Sequence, residues 1–158
     1  MIGTDDLKQF VMLGYLSDEM LKSLVPITES QIFDVHEMVF KQGDTADRFF
    51  FLKKGKILLE QRITDTLTVS LSAVKPGFSF GWSAMLENGI YSSDAICAEP
   101  CDVFSFSASK LKQKMEENHS LGFIINQRLL YVLKKRYDAR TEQFVKTIKL
   151  HPEISTLL

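Results

Sequence analysis

Residues 76 to 98, PGFSFGWSAMLENGIYSSDAICA, decide the fold of this chain. Pro76, Gly77 and Gly81 punctuate a turn, which leads into a short apolar segment. A second strand-like run follows, at residues 92 to 98. Glycine and proline at these offsets indicate tight loops between short strands. The stretch therefore predicts compact β structure whose loop chemistry is specific.

This stretch resembles the phosphate-binding cassette of the cyclic-nucleotide-binding domain family, of the CRP/FNR sensor type. The family cassette reads approximately F-G-E-hydrophobic-A-L and then R-[AST]-A-T-hydrophobic-hydrophobic-A, a spacing that closes a phosphate pocket. Trp82 stands where the family places the glutamate that holds the ribose hydroxyl, and Ser92 stands where it places the arginine that pairs with the cyclic phosphate. The positions that fit are Phe80, Gly81, Ser83, Ala84, Met85, Ser93, Ile96 and Ala98.

The resemblance extends over residues 10 to 145. LSDEMLKSL at 16–24 is similar to the family's leading helix, and EMVFKQG at 37–43 is similar to its first strand and turn. DTADRFFFLKKG at 44–55 is similar to the next strand pair. The resemblance implies a mainly β fold with flanking helices: a double-stranded β-helix jelly roll with an N-terminal helix and a long C-terminal helix.

Hydrophobic periodicity supports the same organisation. Apolar residues spaced by three and four predict a helix over 5–25, capped in its second half by Ser17 and stopped by Pro26. From 28 to 106 the period is two, with a hairpin at 56–73, and residues 49–52 predict a strand covered on both faces. The expected segments of this single domain are 1–27 helical, 28–107 jelly roll, 108–150 helical and 151–158 tail.

The C-terminal helices carry a candidate dimer interface. Ser107 or Ser109 can cap the first helix, and Ser120 can cap the long helix from 121 to about 147. Alternating spacings of three and four along the long helix match the seam of a two-stranded coiled coil. The alternative is a broad core-facing side of a monomer's helix. The seam residues are Phe123, Asn126, Leu130, Leu133, Tyr137, Arg140 and Phe144.

Composition excludes several classes of protein. With 45% hydrophobic and 25% charged residues and a net charge of -1, the chain has a globular profile, with no global attraction to nucleic acid or membranes. Neither a membrane-spanning run nor a signal peptide is evident, so a cytoplasmic location is expected. No helix-turn-helix segment follows residue 150, and Lys134, Lys135 and Arg136 fit a solvated helix face, so direct DNA binding is not expected.

Metal and enzyme chemistry find little support in the sequence. Cys97 and Cys101 have no neighbouring histidine and are interpreted as a buried strand cysteine and a turn cysteine, not as a redox or metal pair. The three histidines lack the spacing of a metal-binding jelly roll, and no nucleophile motif occurs. We therefore expect no metal and no catalysis.

The predicted pocket is short of positive charge. Ser92 offers only a neutral hydroxyl, and Asp94 would share its face in a strand and repel an anion. Trp82 either fills the sugar site or stacks on a different flat ligand. The candidate ligand-binding residues are Phe80, Gly81, Trp82, Ser83, Ala84, Ser92 and Ser93, with Tyr137 added from the long helix.

The sequence therefore predicts a regulatory sensor or interaction module that binds cyclic AMP and cyclic GMP weakly or not at all, and that acts as a homodimer on a partner protein. A cyclic nucleotide or another small ligand is the only candidate cofactor. One alternative is a true cyclic-nucleotide receptor controlling a partner or transcription, in which Arg140 or another basic residue replaces the arginine. A scaffold with a collapsed pocket and a jelly-roll enzyme are further alternatives.

Overall fold

The computed structural model describes residues 1–156. Eight strands form two antiparallel sheets of four, in the orders β1-β8-β3-β6 and β2-β7-β4-β5. The predicted jelly roll is thus confirmed. The strands are β1 Thr28–Phe33, β2 Met38–Phe40, β3 Arg48–Lys54, β4 Ile57–Arg62, β5 Thr68–Val74, β6 Ser79–Phe80, β7 Asp94–Cys97 and β8 Cys101–Ser107.

Strand β3 is covered on both faces, as predicted. Phe51 lies opposite Phe104 of β8, and Phe10 from the N-terminal segment packs on both rings, with centroids 5.2 Å and 5.6 Å away. Phe50 points to the other face, because successive side chains of a strand alternate. Burying a phenylalanine side chain contributes about 1.5–3 kcal/mol, so this strand anchors two apolar layers.

Four buried rings fill the space between the two sheets, and we call Phe40, Phe50, Phe80 and Tyr91 the aromatic stack. Phe40 belongs to one sheet, and Phe50 and Phe80 belong to the other. The centroids of Phe40 and Tyr91 are 3.9 Å apart with planes 13° apart, and those of Phe50 and Phe80 are 5.2 Å apart. The stack therefore packs the two sheets together at the segment that begins with Phe80 and ends with Tyr91.

The N-terminal helix is shorter than predicted. Helix α1 spans Thr4–Lys8 and helix α2 spans Asp18–Leu24, with turns and a short 3-10 segment between them. The chain breaks because Val11 donates its N–H to the Gly77 carbonyl and Phe10 enters the core. The predicted cap is confirmed: Ser17 precedes α2 and its hydroxyl oxygen accepts from the Met20 N–H at 3.3 Å.

The hairpin between β4 and β5 contains a bulge that the alternation did not predict. Leu59 lies opposite Ser72 and Glu60 lies opposite Ser70, so Leu71 is an extra residue in β5. A bulge shifts the side chains beyond it to the other face. As a result Val74 is buried opposite Ile57, whereas much of the rest of β5 is exposed.

Helix α3 spans Ala108–Glu117 and helix α4 spans His119–Lys149. Ser107 occupies the cap position of α3, but its hydroxyl makes no cap hydrogen bond and lies 3.0 Å from the Ser109 hydroxyl. The predicted Ser120 cap of the long helix is wrong. Asn118 precedes α4, and its side-chain oxygen accepts from the Leu121 N–H at 3.1 Å.

Residues up to Ile125 form one compact unit, and residues from Asn126 onward form a second. The second unit contains most of α4 and the short helix α5, Pro152–Ser155. The last two residues of the predicted tail, 157 and 158, lie outside the described residues. Within the described part of the chain, no helix is both long enough and apolar enough to cross a bilayer.

Candidate ligand-binding site

The cassette residues form a tight loop inside the first unit. Strand β6 ends at Phe80, Gly81 adopts φ 71° and ψ 26°, and a 3-10 helix spans Trp82–Met85. Ala84 donates its N–H to the Gly81 carbonyl at 3.1 Å, and Leu86 donates to the Ser83 carbonyl at 3.1 Å. The left-handed backbone at Gly81 explains the glycine, because residues with a Cβ adopt this conformation at a cost.

The far side of the loop is held just as closely. A Cβ at Gly89 would collide with the Ser83 carbonyl oxygen, so only glycine fits there. Gly89 in turn accepts from the Ala46 N–H at 2.9 Å, and Lys112 of α3 donates to the Leu86 carbonyl at 3.2 Å. The cassette backbone is thus held by its own close contact between Gly89 and Ser83, by Ala46 and by Lys112.

The predicted site residues of the cassette are mostly buried. Phe80, Ala84, Ser83 and Ser93 are 0%, 1%, 9% and 8% exposed. Trp82 is half-buried and Ser92 is exposed. Seven of the eight candidates thus lie on the stretch from the end of β6 to the start of β7. Tyr137 belongs to the second unit, where it is 69% exposed.

Asp94 does not share a strand face with Ser92, as the strand pattern predicted, but binds Gln42 and Arg62. Strand β7 begins at Asp94, so the alternation of faces does not extend back to Ser92. The buried Asp94 carboxylate accepts a 2.7 Å hydrogen bond from the Gln42 N–H and lies 3.7 Å from the Arg62 guanidinium. The Arg62 N–H donates to the Gln42 side-chain oxygen at 3.0 Å.

This network of Gln42, Arg62 and Asp94 was missed by the sequence analysis. Its members lie on β4, on β7 and just after β2, between 20 and 52 positions apart. The backbone N–H and the guanidinium together offset the negative charge of Asp94. Arg62 supplies the positive charge of this network, and its side chain is 54% exposed.

Tyr91, the residue before Ser92, links the cassette to the rest of the barrel. Its hydroxyl donates to the Arg48 carbonyl at 2.7 Å and accepts from the Arg48 N–H at 3.2 Å. Its own N–H donates to the Asp44 carbonyl at 3.0 Å. Burial, with a smaller contribution from Asp47, raises the pKa of Tyr91 to about 12. The phenol is therefore neutral near pH 7.

Both cysteines are buried free thiols. Burial, reinforced by the neighbouring thiol of Cys101, raises the pKa of Cys97 to about 12, so its thiolate is scarce near neutral pH. Cys101 opens β8, not a turn as predicted. Among residues 1–156 no group of His, Cys, Asp or Glu side chains is arranged to hold a metal ion.

Helix α4 exposes large apolar side chains along the predicted seam. Phe123, Leu130, Tyr137 and Phe144, each seven residues apart, are 62%, 66%, 69% and 67% exposed. Asn126 and Arg140 are also exposed, and Leu133 is half-buried. Residues seven apart lie on nearly one line along a helix.

Comparison with known proteins places this geometry in context. A family profile described as "Cyclic nucleotide-binding domain" matches residues 31–118. A cAMP-dependent protein kinase regulatory subunit from Yarrowia lipolytica is 28% identical over 94 residues. That match covers 60% of this chain and 24% of the relative, so the chain spans about a quarter of the relative's length.

Solved structures share the fold. A candidate cyclic nucleotide-binding protein from Geobacter metallireducens GS-15 superposes with a TM-score of 0.76 and 27% identity, covering 87% of this chain and 99% of that one. A cyclic nucleotide-binding domain from Methylobacillus flagellatus KT gives a TM-score of 0.79 at 18% identity, covering 91% and 81%.

Proposed function

This chain belongs to the cyclic nucleotide-binding domain family, and on that premise we propose that it is a non-catalytic regulatory module whose cassette binds cyclic AMP and cyclic GMP weakly or not at all. One observation carries the proposal. The cassette backbone is held in a fixed loop, whereas the exposed Ser92 and the half-buried Trp82 occupy the positions at which the family's charged side chains are expected.

A cyclic nucleotide brings one phosphate charge, whose hydration must be replaced on binding. Backbone N–H groups at the start of the Trp82–Met85 turn can replace part of it. The missing arginine removes a charge-assisted pair, which typically costs about 1.5–3 kcal/mol, or roughly one to two decades in affinity. The Asp94 carboxylate, two residues beyond Ser92, does not add to this loss, because the Gln42 N–H and the Arg62 guanidinium engage it. The loss of the arginine therefore weakens anion binding.

Trp82 supports the same conclusion through its size. An indole is much larger than a glutamate side chain, and its only polar group is a single N–H donor. We propose that Trp82 fills the sugar site. The ribose then finds no glutamate to accept its hydrogen bond, and the indole occupies the space that the sugar needs. A flat ligand other than a nucleotide could still stack on the ring, and this defines the class of alternative ligands to be screened.

We propose that two copies pair through the seam of α4, formed by Phe123, Asn126, Leu130, Leu133, Tyr137, Arg140 and Phe144. The exposed apolar side chains at seven-residue intervals support this arrangement. A ligand or partner that favours one arrangement of the helices would then change the dimer, since binding shifts the populations of conformations. A partner protein in the cytoplasm is the proposed recipient of the signal, without direct DNA contact.

A true nucleotide receptor is the second candidate, and one observation favours it. The Arg62 side chain is exposed and approaches the cassette strand through Asp94. Arg62 is a more specific candidate than Arg140 for the basic residue that would replace the lost arginine.

A thermal-shift screen tests the proposal. Purified protein is heated with cyclic AMP, cyclic GMP, cyclic dinucleotides, haem and common anionic metabolites, because a ligand that binds only the folded state raises the unfolding temperature. We expect no shift with either cyclic mononucleotide. A clear shift with one of them that Arg62→Gln abolishes would support the receptor alternative, and Lys135→Gln is the matched control.

A further inference from the structure

A cavity adjoins the cassette segment, and Tyr91 of that segment lines it. It is a cleft of about 260 Å³ between β1, β2 and the loop that joins β2 to β3. None of residues 81–90 or 92–98 lines it. We therefore consider which ligand this cleft could bind, apart from a cyclic nucleotide at the cassette.

The floor of the cleft is aromatic. Phe33 of β1 is half-buried in it, and three members of the aromatic stack, Phe40, Phe50 and Tyr91, lie beneath. The centroids of Phe40 and Phe50 are 5.6 Å apart. Because the three stacked rings are at most 8% exposed, Phe33 supplies the accessible aromatic surface of the cleft.

The walls of the cleft are held in place by backbone hydrogen bonds. Gly43 donates to the Tyr91 carbonyl at 2.8 Å, Tyr91 donates to the Asp44 carbonyl at 3.0 Å, and Ala108 donates to the Asp47 carbonyl at 2.8 Å. The Tyr91 hydroxyl is fixed by its two bonds to Arg48. Pockets that bind small molecules are usually preformed in this way.

The charges around the cleft are unbalanced. Asp44 and Asp47 line it, and neither carboxylate has an ion pair or a side-chain hydrogen bond within residues 1–156. The lining cation, Arg48, is already committed: its guanidinium lies 2.8 Å from Glu29 and 3.0 Å from the Ser105 hydroxyl. The cleft thus has two carboxylates at its rim that no lining cation neutralises.

The geometry points to a binding site for a small organic monocation, such as a primary ammonium on a compact apolar body, with the cation at Asp44 and Asp47 and the apolar body on Phe33. The cavity has the size for a fragment, Phe33 offers a half-buried apolar surface, and the carboxylates at the rim supply the negative charge. The inference stands independently of what the cassette binds.

Occupancy of this site would be felt at the cassette, because both share one aromatic wall. A Cβ built on Gly81 would lie 2.9 Å from Phe50, 3.2 Å from Phe40 and 3.4 Å from Tyr91. The same three rings therefore floor the cleft on one side and press on the cassette turn on the other. A ligand that moves any of them moves the contact of Gly81.

The test uses phenethylammonium as the probe, followed by amide NMR of the full chain. We expect saturable shifts at residues 44, 45 and 91 with a dissociation constant of about 1 mM, the affinity typical of a small fragment. Phenethyl alcohol, which lacks the charge, and hydrocinnamate, which reverses it, should give no saturation in the same range.

Two variants complete the experiment. Asp44→Asn combined with Asp47→Asn should weaken phenethylammonium at least tenfold, and Asp65→Asn, in the exposed hairpin turn, should not. Phe33→Ala tests the floor without changing the charge, and thermal unfolding verifies that each variant folds. Absence of saturation in the wild type, equal binding of the alcohol, or unchanged binding in the double variant would overturn the inference.

Discussion

Gly81 lies directly against the ring of Phe50: a Cβ at Gly81 would be 2.9 Å from the Phe50 Cδ2 atom. The backbone at this position is also left-handed, with φ 71°. Two independent constraints therefore act on one residue at the entry to the cassette. One is the conformational cost of a side chain at positive φ, and the other is the close approach of a buried ring.

Gly81→Ala should lower the free energy of unfolding by about 2–4 kcal/mol, because the conformational cost and the overlap with Phe50 add. Gly43→Ala is the matched control: Gly43 has φ 92° but no atom within 4 Å of a built Cβ. It should lose only the conformational part, about 1–2 kcal/mol. Urea unfolding measures both, and equal losses would refute the packing argument.

Tyr91 should make stability depend on pH in the alkaline range. Its pKa is raised from 10.0 to about 12, first by burial. A group whose pKa is higher in the folded state stabilises it fully below the unfolded pKa, and this contribution is lost as pH rises through the folded pKa. The free energy of unfolding should therefore fall between about pH 10 and pH 12.

Tyr91→Phe isolates that effect. Near pH 7 the variant should be less stable by about 1–3 kcal/mol, because the hydrogen bonds with the Arg48 backbone are lost. The difference between wild type and variant should narrow above pH 10, since only the wild type loses the Tyr91 contribution. Urea midpoints across this pH range measure it, and a constant difference would contradict the assignment.

The α4 seam should control the oligomeric state. Leu130→Glu places a charge in the middle of the proposed interface and should convert a dimer to a monomer at micromolar concentration. Ala139→Glu adds the same charge on the opposite side of the helix, at another exposed position, and should leave the mass unchanged. Light scattering after size exclusion measures both. A wild type that is already monomeric at micromolar concentration would refute the seam.

The fold was largely predictable because its main signals are local. The two-residue period from 28 to 106, the glycines of the turns and the Ser17 cap each act over a few residues. The prediction of one continuous N-terminal helix was wrong because the break in it depends on distant contacts. Phe10 leaves the helical pattern to pack on Phe51 and Phe104, contacts about 40 to 95 positions away that no local period encodes.

The site divides in the same way. The cassette turn at residues 80–84 was predictable from its glycine and its apolar pattern, and the structure shows the tight loop. The partners of Asp94 were not predictable from the sequence. Gln42 and Arg62 reach it only because β2, β4 and β7 pair in one sheet. The bulge at Leu71 likewise depends on the pairing of β4 and β5 and leaves no signal in the alternation of residues.

Calorimetry of cyclic AMP binding, with the wild type beside the Trp82→Glu and Ser92→Arg double variant, tests the central claim most directly. If the frame is intact and only the charges are missing, the wild type should bind more weakly than about 10 µM, near -7 kcal/mol, and the double variant should gain at least one decade. Ser92→Lys beside Trp82→Glu is the control that restores charge without the planar fork of arginine, and it should gain less. Saturable binding by the wild type below about 10 µM would contradict the account.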